Sequence, residues 1–354
     1  MTDDLKTIRA RIDALDDGIL KLVSERAGLA EAIGKLKNGL AYRPEREAQV
    51  LRRAVRNNPG PLPVNAVARV FTEIMSACRG LEEPMSVAFL GPRGTYSEEA
   101  AVKHFGGIGD FAPSASIDEV FRKVEAGTIG YGVVPVENST EGAIGRTLDL
   151  LLATPLKICG EVVLPIHQCL MSKSGKAKGF GKILSHTQSL AQCHEWLNQR
   201  YPGIERAAVV SNAQAARLAA GNARVAAIAG RMAAALYSLK IIAADIEDEP
   251  SNTTRFLVLG RQDVAASGRD RTSLVMSTRN RPGAMHELLT PLARNQVGMS
   301  KFESRPARSG LWEYVFFVDI EGHQQDANVA KALGEMRDKA SFLKVLGSYP
   351  IALP

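Results

Sequence analysis

Cysteine is scarce: the 354 residues hold four, Cys78, Cys159, Cys169 and Cys193. None forms a CxxC pair or stands at zinc spacing from a histidine, so a disulfide scaffold and a structural zinc site are both excluded and reduced thiols are expected. No apolar run approaches the ~20 residues that cross a bilayer, which excludes a membrane partner at this level. The opening MTDDLKTIRARIDALDD has no basic stretch followed by an apolar one, so a signal peptide is not expected and a cytoplasmic location is. A basic tail is missing too. The net charge is +6, but residues 1–84 hold 14 basic and 12 acidic side chains, 85–262 hold 18 and 16, and 263–354 hold 12 and 10. Each window is +2, which removes the basis for a nucleic-acid partner. Internal repeats and low-complexity tracts are absent. What is present is a 45% apolar, 23% charged composition ordinary for globular protein, long enough at ~150 residues per domain for two to three domains.

Leu5, Ile8, Ile12, Leu15, Ile19, Leu22, Leu29, Ile33 and Leu36 follow alternating spacings of three and four, with one gap. That pattern predicts one long helix with a heptad-like seam. At 1.5 Å per residue, 32 residues span about 48 Å, too long for two shorter helices to cover. A second copy of the chain is the economical cover. Pro44 opens a second helix, NPGPLP breaks the chain, and VNAVARVFTEIMSACRGLEE reads as a third helix closed by Pro84. From SVAFLG onward strands and helices alternate through YGVVPVEN, KILSHTQ, RAAVVSN, VAAIAG and TRFLVLG, the signature of an α/β unit. After the polar linker RQDVAASGRDR, strands and helices follow in the order βαββαβ, as in ferredoxin-like α+β domains. The expected division is 1–84, 85–262 and 271–354.

Within the first unit, Arg26 and Lys37 lie eleven residues apart and share a helix face, whereas Arg9 is seventeen residues from Arg26 and points elsewhere. Arg9 therefore serves the same pocket only from a partner chain. The strings IRARIDALD, SERAGLAEAIGKLK, PERE and FTEIMSACRGLEE resemble, in order, the all-helical class of chorismate mutase. The resemblance implies an intertwined homodimer or higher homo-oligomer that binds chorismate through Arg9, Arg26, Lys37, Arg43, Arg46, Glu47, Cys78 and Glu82, with Lys37 and Glu82 acting catalytically. The implied reaction is a unimolecular Claisen rearrangement, which needs cations and donors to hold two carboxylates and stabilise charge on the ether oxygen. Three positions depart from the common pattern: Arg43 replaces an aspartate, Cys78 a serine and Glu82 a glutamine. A carboxyl group donates a hydrogen bond only when protonated, so Glu82 implies a mutase that favours lower pH.

The second unit resembles prephenate dehydratase through FLGPRGTYSEEAA, GVVPVENSTEGAI, SHTQSLAQC, SNAQAARLAA, AAIAGRMAAALYSL and NTTRFLVLG. That family's fold is a bilobed, periplasmic-binding-protein-like α/β domain. The resemblance assigns Thr254 as the acid and Glu137, Asn138, Ser139, Ser185, Gln192, Thr254 and Arg255 as the prephenate-binding set. Arg255 would hold a carboxylate. Thr187 stands where a proline is usual. Expelling hydroxide while CO₂ leaves requires a proton for the departing oxygen, and a threonine must be polarised to supply it.

The last unit resembles the ACT regulatory domain. RPGAMHELL and ESRP match its two phenylalanine-binding segments, which implies a ligand site built from Gly283, Ala284, Met285, His286, Glu303, Ser304, Arg305 and Pro306. Together the resemblances imply an enzyme that carries chorismate to prephenate and prephenate to phenylpyruvate under feedback by phenylalanine, with no metal and no organic cofactor. The competing readings are a dehydratase whose degenerate mutase domain serves dimerisation, a bilobed effector-binding transcription regulator and a solute-binding protein. Against the regulator, the first helix is one amphipathic rod without a helix-turn-helix.

Overall fold

The spacing of leucine and isoleucine from Leu5 onward is realised as one unbroken helix, α1 (Leu5–Leu36), in a computed structural model that describes residues 4–36, 41–307 and 314–352. None of its 32 residues is buried, and Ile8, Ile12, Leu15, Ile19 and Leu22 are 43–67% exposed in the single chain. Helix α2 (Pro44–Arg56) starts with proline in its first turn, where the missing N–H costs nothing. Helix α3 (Val64–Glu82) follows the proline-rich break and buries Val67, Met75, Ser76, Cys78 and Arg79.

The α/β region begins with β1 (Ser86–Leu90), α4 (Tyr96–Phe105), β2 (Asp110–Ser114), α5 (Ile117–Glu125), β3 (Tyr131–Asn138), β4 (Gly142–Ala143), α6 (Gly145–Ala153) and β5 (Lys157–Pro165). It continues through β6 (Cys169–Ser172), β7 (Lys182–Ser185), α7 (Thr187–Gln192), α8 (His194–Arg200), β8 (Glu205–Ala208), α9 (Asn212–Gly221), β9 (Val225–Ala229), α10 (Arg231–Leu236), β10 (Lys240–Ala243) and β11 (Thr253–Gly260). Two sheets result. The first runs β2-β1-β3-β11-β5, with β4 on β3, and the second runs β10-β6-β9-β7-β8. The chain passes from one to the other between β5 and β6 and returns between β10 and β11, which makes two lobes joined by two crossings. The last region is β12 (Asp270–Ser277), α11 (Ala284–Arg294), β13 (Met299–Pro306), β14 (Tyr314–Glu321), α12 (Ala327–Arg337) and β15 (Phe342–Pro350), an antiparallel sheet in the order β13-β14-β12-β15.

The chain divides into two compact units. The first holds residues 1–85 and 104–110, because Arg79 donates to the Phe105 carbonyl, Ser76 Oγ to the Ile108 carbonyl, and the Gly107 N–H to Glu73. The second holds residues 86–103 and 111–354, because the first α/β sheet and the C-terminal sheet share one core. Val134, Leu148 and Leu257 of the former pack with Phe317, Leu346 and Tyr349 of the latter. Strand β15 approaches β5 so closely that a Cβ on Gly347 would fall 2.3 Å from the Ile158 carbonyl oxygen, so only glycine fits there.

Candidate active sites

In the first unit, α1 carries Arg9, exposed, and Arg26, half-buried. Seventeen residues of straight helix separate them by about 25 Å, so one chain cannot bring both to one small molecule. Lys37 lies outside the described residues. Arg43 caps α2 and its guanidinium Nε donates to Glu45 at 2.6 Å, while Arg46 stays exposed. Glu47, expected to meet the substrate hydroxyl, is bound by the buried Arg79. Burial pushes the Glu47 carboxyl up, opposed by the charges of Arg79 and, more weakly, Arg26. Cys78 is buried on α3, and Glu82 ends that helix with its Cβ and Cγ against Gly34 of α1. The structure thus gathers Arg26, Glu47 and Glu82 around three neighbouring helices and leaves Arg9 apart. Arg79 was missed by sequence reasoning. Its guanidinium lies over the Tyr42 and Phe105 rings at 5.4 and 5.9 Å, and the available signal was an arginine on the apolar face of α3 beside Cys78.

In the second unit, β3 and β11 are antiparallel neighbours with Asn138 directly opposite Thr254 and Glu137 opposite Arg255. Thr254 is 9% exposed, and its Oγ1 accepts from Asn138 Nδ2 at 2.9 Å. That amide has one orientation. Its Oδ1 accepts from the Thr140 N–H and hydroxyl and from the Glu141 N–H, while Nδ2 also reaches Asn252 Oδ1 at 2.9 Å and the Thr253 carbonyl at 3.3 Å. Ser139 clamps the same corner: its N–H donates to the Thr253 carbonyl and its hydroxyl accepts from the Thr253 N–H, both at 2.9 Å. From the other lobe, Ser185 at the end of β7 donates to Asn212 Oδ1 and the Ile228 carbonyl, so its hydroxyl is committed to the fold. Gln192 ends α7 and accepts weakly from Gln168 Nε2, at 3.4 Å. Gln168, Ser189 and Asn212, linked at 3.1 and 2.8 Å, form a polar chain that the sequence reading passed over, though Asn212 lies in SNAQAARLAA.

Arg255 and Glu137 do not join this set. Successive residues of a strand face opposite sides of the sheet, so the side chains next to Thr254 and Asn138 point to the other face. There Arg255, its side chain 13% exposed, donates through Nε to Glu161 (2.8 Å), through Nη1 to Asp319 (2.6 Å) and through Nη2 to the Tyr349 hydroxyl (2.8 Å). Glu137 pairs with Lys301 at 2.9 Å. The expected role of Arg255 and Glu137 as prephenate ligands is therefore corrected: both are spent on the C-terminal sheet. Cations other than side chains have one candidate cluster among the described residues, His167, Asp245 and Glu247 at the two crossings. Its atoms already serve one another, with His167 Nδ1 2.8 Å from Glu247, which accepts from the Gln168 N–H, and Asp245 held by Arg231. The thiols are withdrawn from chemistry. Burial pushes Cys159 up to about 12 and raises Cys169 and Cys193 as well.

In the C-terminal region Gly283 takes a left-handed conformation (φ 77°) ahead of α11, as a glycine at that turn allows. Ala284 and Met285 line a cavity of about 640 Å³ with Arg279, Tyr314, Phe316 and Phe342. Gly283 and His286 are not among its lining residues, and neither are Glu303, Ser304, Arg305 and Pro306, which lie on the edge strand β13. Arg305 instead pairs with Asp149 on α6 at 3.2 Å. Among the described residues, this cavity takes its lining from the first expected half of the phenylalanine site and not from the second.

Residues 8–83 match the family model of chorismate mutase type II, residues 87–264 that of prephenate dehydratase, and residues 272–338 that of the ACT domain. The chain is 54% identical over 349 residues to the bifunctional chorismate mutase/prephenate dehydratase of Neisseria gonorrhoeae, covering 98% of this chain and 96% of the relative. It is 51% identical over 360 residues to the enzyme of the same name from Stutzerimonas stutzeri, covering 99% of each. Among solved structures, prephenate dehydratase from Arthrobacter aurescens in complex with L-Phe superposes with a TM-score of 0.69 at 32% identity, covering 75% of this chain and 89% of that one. With three family models matched in order and identity above one half along nearly its whole length, this chain belongs to the bifunctional chorismate mutase/prephenate dehydratase family.

Proposed function

We propose that this chain rearranges chorismate to prephenate in its helical unit and converts prephenate to phenylpyruvate at Thr254, with phenylalanine acting as feedback ligand at the C-terminal domain. The observation that carries the dehydratase assignment is the bond from Asn138 Nδ2 to Thr254 Oγ1. A hydroxyl that accepts from a fixed amide keeps its own proton for another acceptor. That proton goes to the departing ring hydroxyl of prephenate, which leaves as water. The bond between the ring and its carboxylate breaks, CO₂ departs, and the released electron pair makes the ring aromatic. Asn138, Ser139 and Gln192 frame the substrate, and the Ser185–Asn212–Ser189 chain stiffens the opposing lobe.

The mutase step breaks the ether C–O bond and forms a C–C bond within one molecule, so the protein supplies clamping and charge. Arg26, Lys37 and Glu82 come from one chain. Arg9 reaches the same pocket from a second copy, whose α1 covers the exposed seam, and the working unit is at least a homodimer. The ligand cavity beside Met285 is completed in the same way, by the edge strand β13 of another copy bringing Glu303 to Pro306. The substrates are soluble metabolites, the site of action is the cytoplasm, and among the described residues no helix is long and apolar enough to cross a membrane.

The deciding experiment is an assay that follows chorismate loss and phenylpyruvate formation together, with and without phenylalanine. Both should proceed, and phenylalanine should depress the second. Chorismate loss without phenylpyruvate would sink the bifunctional assignment.

A further inference from the structure

The C-terminal sheet does more than sit behind the first α/β sheet. Lys301 of β13 reaches across their shared core, with 12% of its side chain exposed, and places its ammonium 2.9 Å from Glu137 Oε2. The pair is off hydrogen-bonding alignment, and the buried Nζ has no hydrogen-bond partner. A buried ammonium without hydrogen bonds is costly, and its retention calls for a reason. Beside it lies a cavity of about 20 Å³ lined by Arg255, Ser273, Lys301 and Asp319, room for one water.

The reason lies on the other side of Glu137. Strand β3 is irregular there: Glu137 pairs with Arg255 but Pro135 with Phe256, so Val136 is an extra residue without a counterpart on β11. A bulge bends its strand and re-aims the next side chains, and beyond it Glu137 and Asn138 pair with β11 and with the two-residue β4. Asn138, the donor to Thr254, comes two residues after that bulge. On the face opposite the Asn138 bonds, the charge on Glu137 is held by Lys301 at 2.9 Å with Arg255 Nη1 at 3.8 Å.

We infer that Lys301 is a positioning residue of the dehydratase reaction: by fixing Glu137 on one face of β3 it fixes Asn138 against Thr254 on the other. The inference rests on the proposed dehydratase role of Thr254. It makes the C-terminal sheet part of the active-site scaffold, and because Lys301 lies two residues before Glu303, any ligand that shifts β13 shifts the acid.

The test uses the full chain carrying Lys301→Met, Lys301→Arg, Glu137→Gln or Lys301→Met with Glu137→Gln. A small misplacement of reacting groups can cost about 10²-fold, so Lys301→Met should lower the dehydratase kcat at least about tenfold with KM within about threefold. Mutase turnover in the same molecules should hold, and Lys301→Arg, which keeps the charge, should recover most of kcat. The double variant should be no worse than the poorer single one, since both break one contact. A Lys301→Met kcat within twofold of the wild type, a loss that arginine does not recover, or additive losses in the double variant would overturn the assignment. If Lys301→Met does not fold, Glu137→Gln decides by the same kcat and KM criteria. A wild-type chain making no phenylpyruvate would instead overturn the dehydratase reading itself.

Discussion

The two compact units differ in how they cover their apolar surface. The helical unit leaves a stripe from Leu5 to Leu36 exposed along α1, with no buried residue in that helix. Among the described residues, the unit of residues 86–103 and 111–354 encloses four separate clusters, one of them shared by two sheets. A contiguous exposed apolar face of that length marks a surface that is covered by a partner. On the proposed reading the first unit takes a second copy of the chain to cover that face and to supply Arg9, whereas the hydrogen bonds around Thr254 come from one chain.

The sharpest way to break that contrast is to charge the seam. Ile12→Glu with Ile19→Glu should abolish dimerisation through α1 and lower mutase turnover by about 10³-fold or more, since losing one preorganised donor alone costs ~10²–10³. Dehydratase turnover should change less than about threefold. Light scattering and the two assays check this, and a mutase-active monomer would sink it. Next come two neighbours on β11. Thr254→Val should cost the dehydratase about 10²-fold or more in kcat with little change in melting temperature, as for loss of a general acid. Arg255→Met should instead destabilise the second unit by about 3–5 kcal/mol, because it leaves Asp319 and part of Glu161 as uncompensated buried charge. Chemical denaturation of both variants separates these outcomes. A third, smaller effect returns to the mutase: Glu82→Gln places an amide donor at the end of α3 and should raise mutase kcat about threefold or more at one fixed pH, with dehydratase turnover unchanged. An unchanged mutase kcat would remove Glu82 from the reaction.

The helices of the first unit and the βαββαβ order of the last domain were legible because each rests on local pattern, whereas Asn138 and Thr254, 116 residues apart, were named only through the family resemblance. Helical spacing fixed α1 from Leu5 to Leu36, and Pro44 marked the start of α2. What misled was treating a short motif as one surface. In TTRF and VEN the residues are contiguous, yet a strand sends alternate side chains to opposite faces, so Thr254 and Asn138 meet while Arg255 and Glu137 turn to the C-terminal sheet. The partners that claim them, Asp319, Tyr349 and Lys301, are far along the chain, and no spacing rule reports such long-range pairs. Residues 104–110 follow a strand and helix of the α/β pattern, but Arg79 and Ser76 claim their carbonyls.

The smallest expected effect separates the units by pH. His104 is half-buried in the first unit, bonded to the Tyr42 hydroxyl, and burial together with the Arg79 charge pushes its imidazole down to about 3. In the unfolded chain a histidine titrates near 6.5. Between those values the unfolded state binds the extra proton, so stability falls as pH drops through 6.5, and the loss is complete only near 3. His104→Gln keeps a polar partner for Tyr42 and removes the titration. Relative to the variant, the wild type should therefore lose unfolding free energy steadily from pH 7.5 to 4.5, by about 2–3 kcal/mol, even though carboxylates titrate in both. Parallel stability curves would show that His104 is not held neutral.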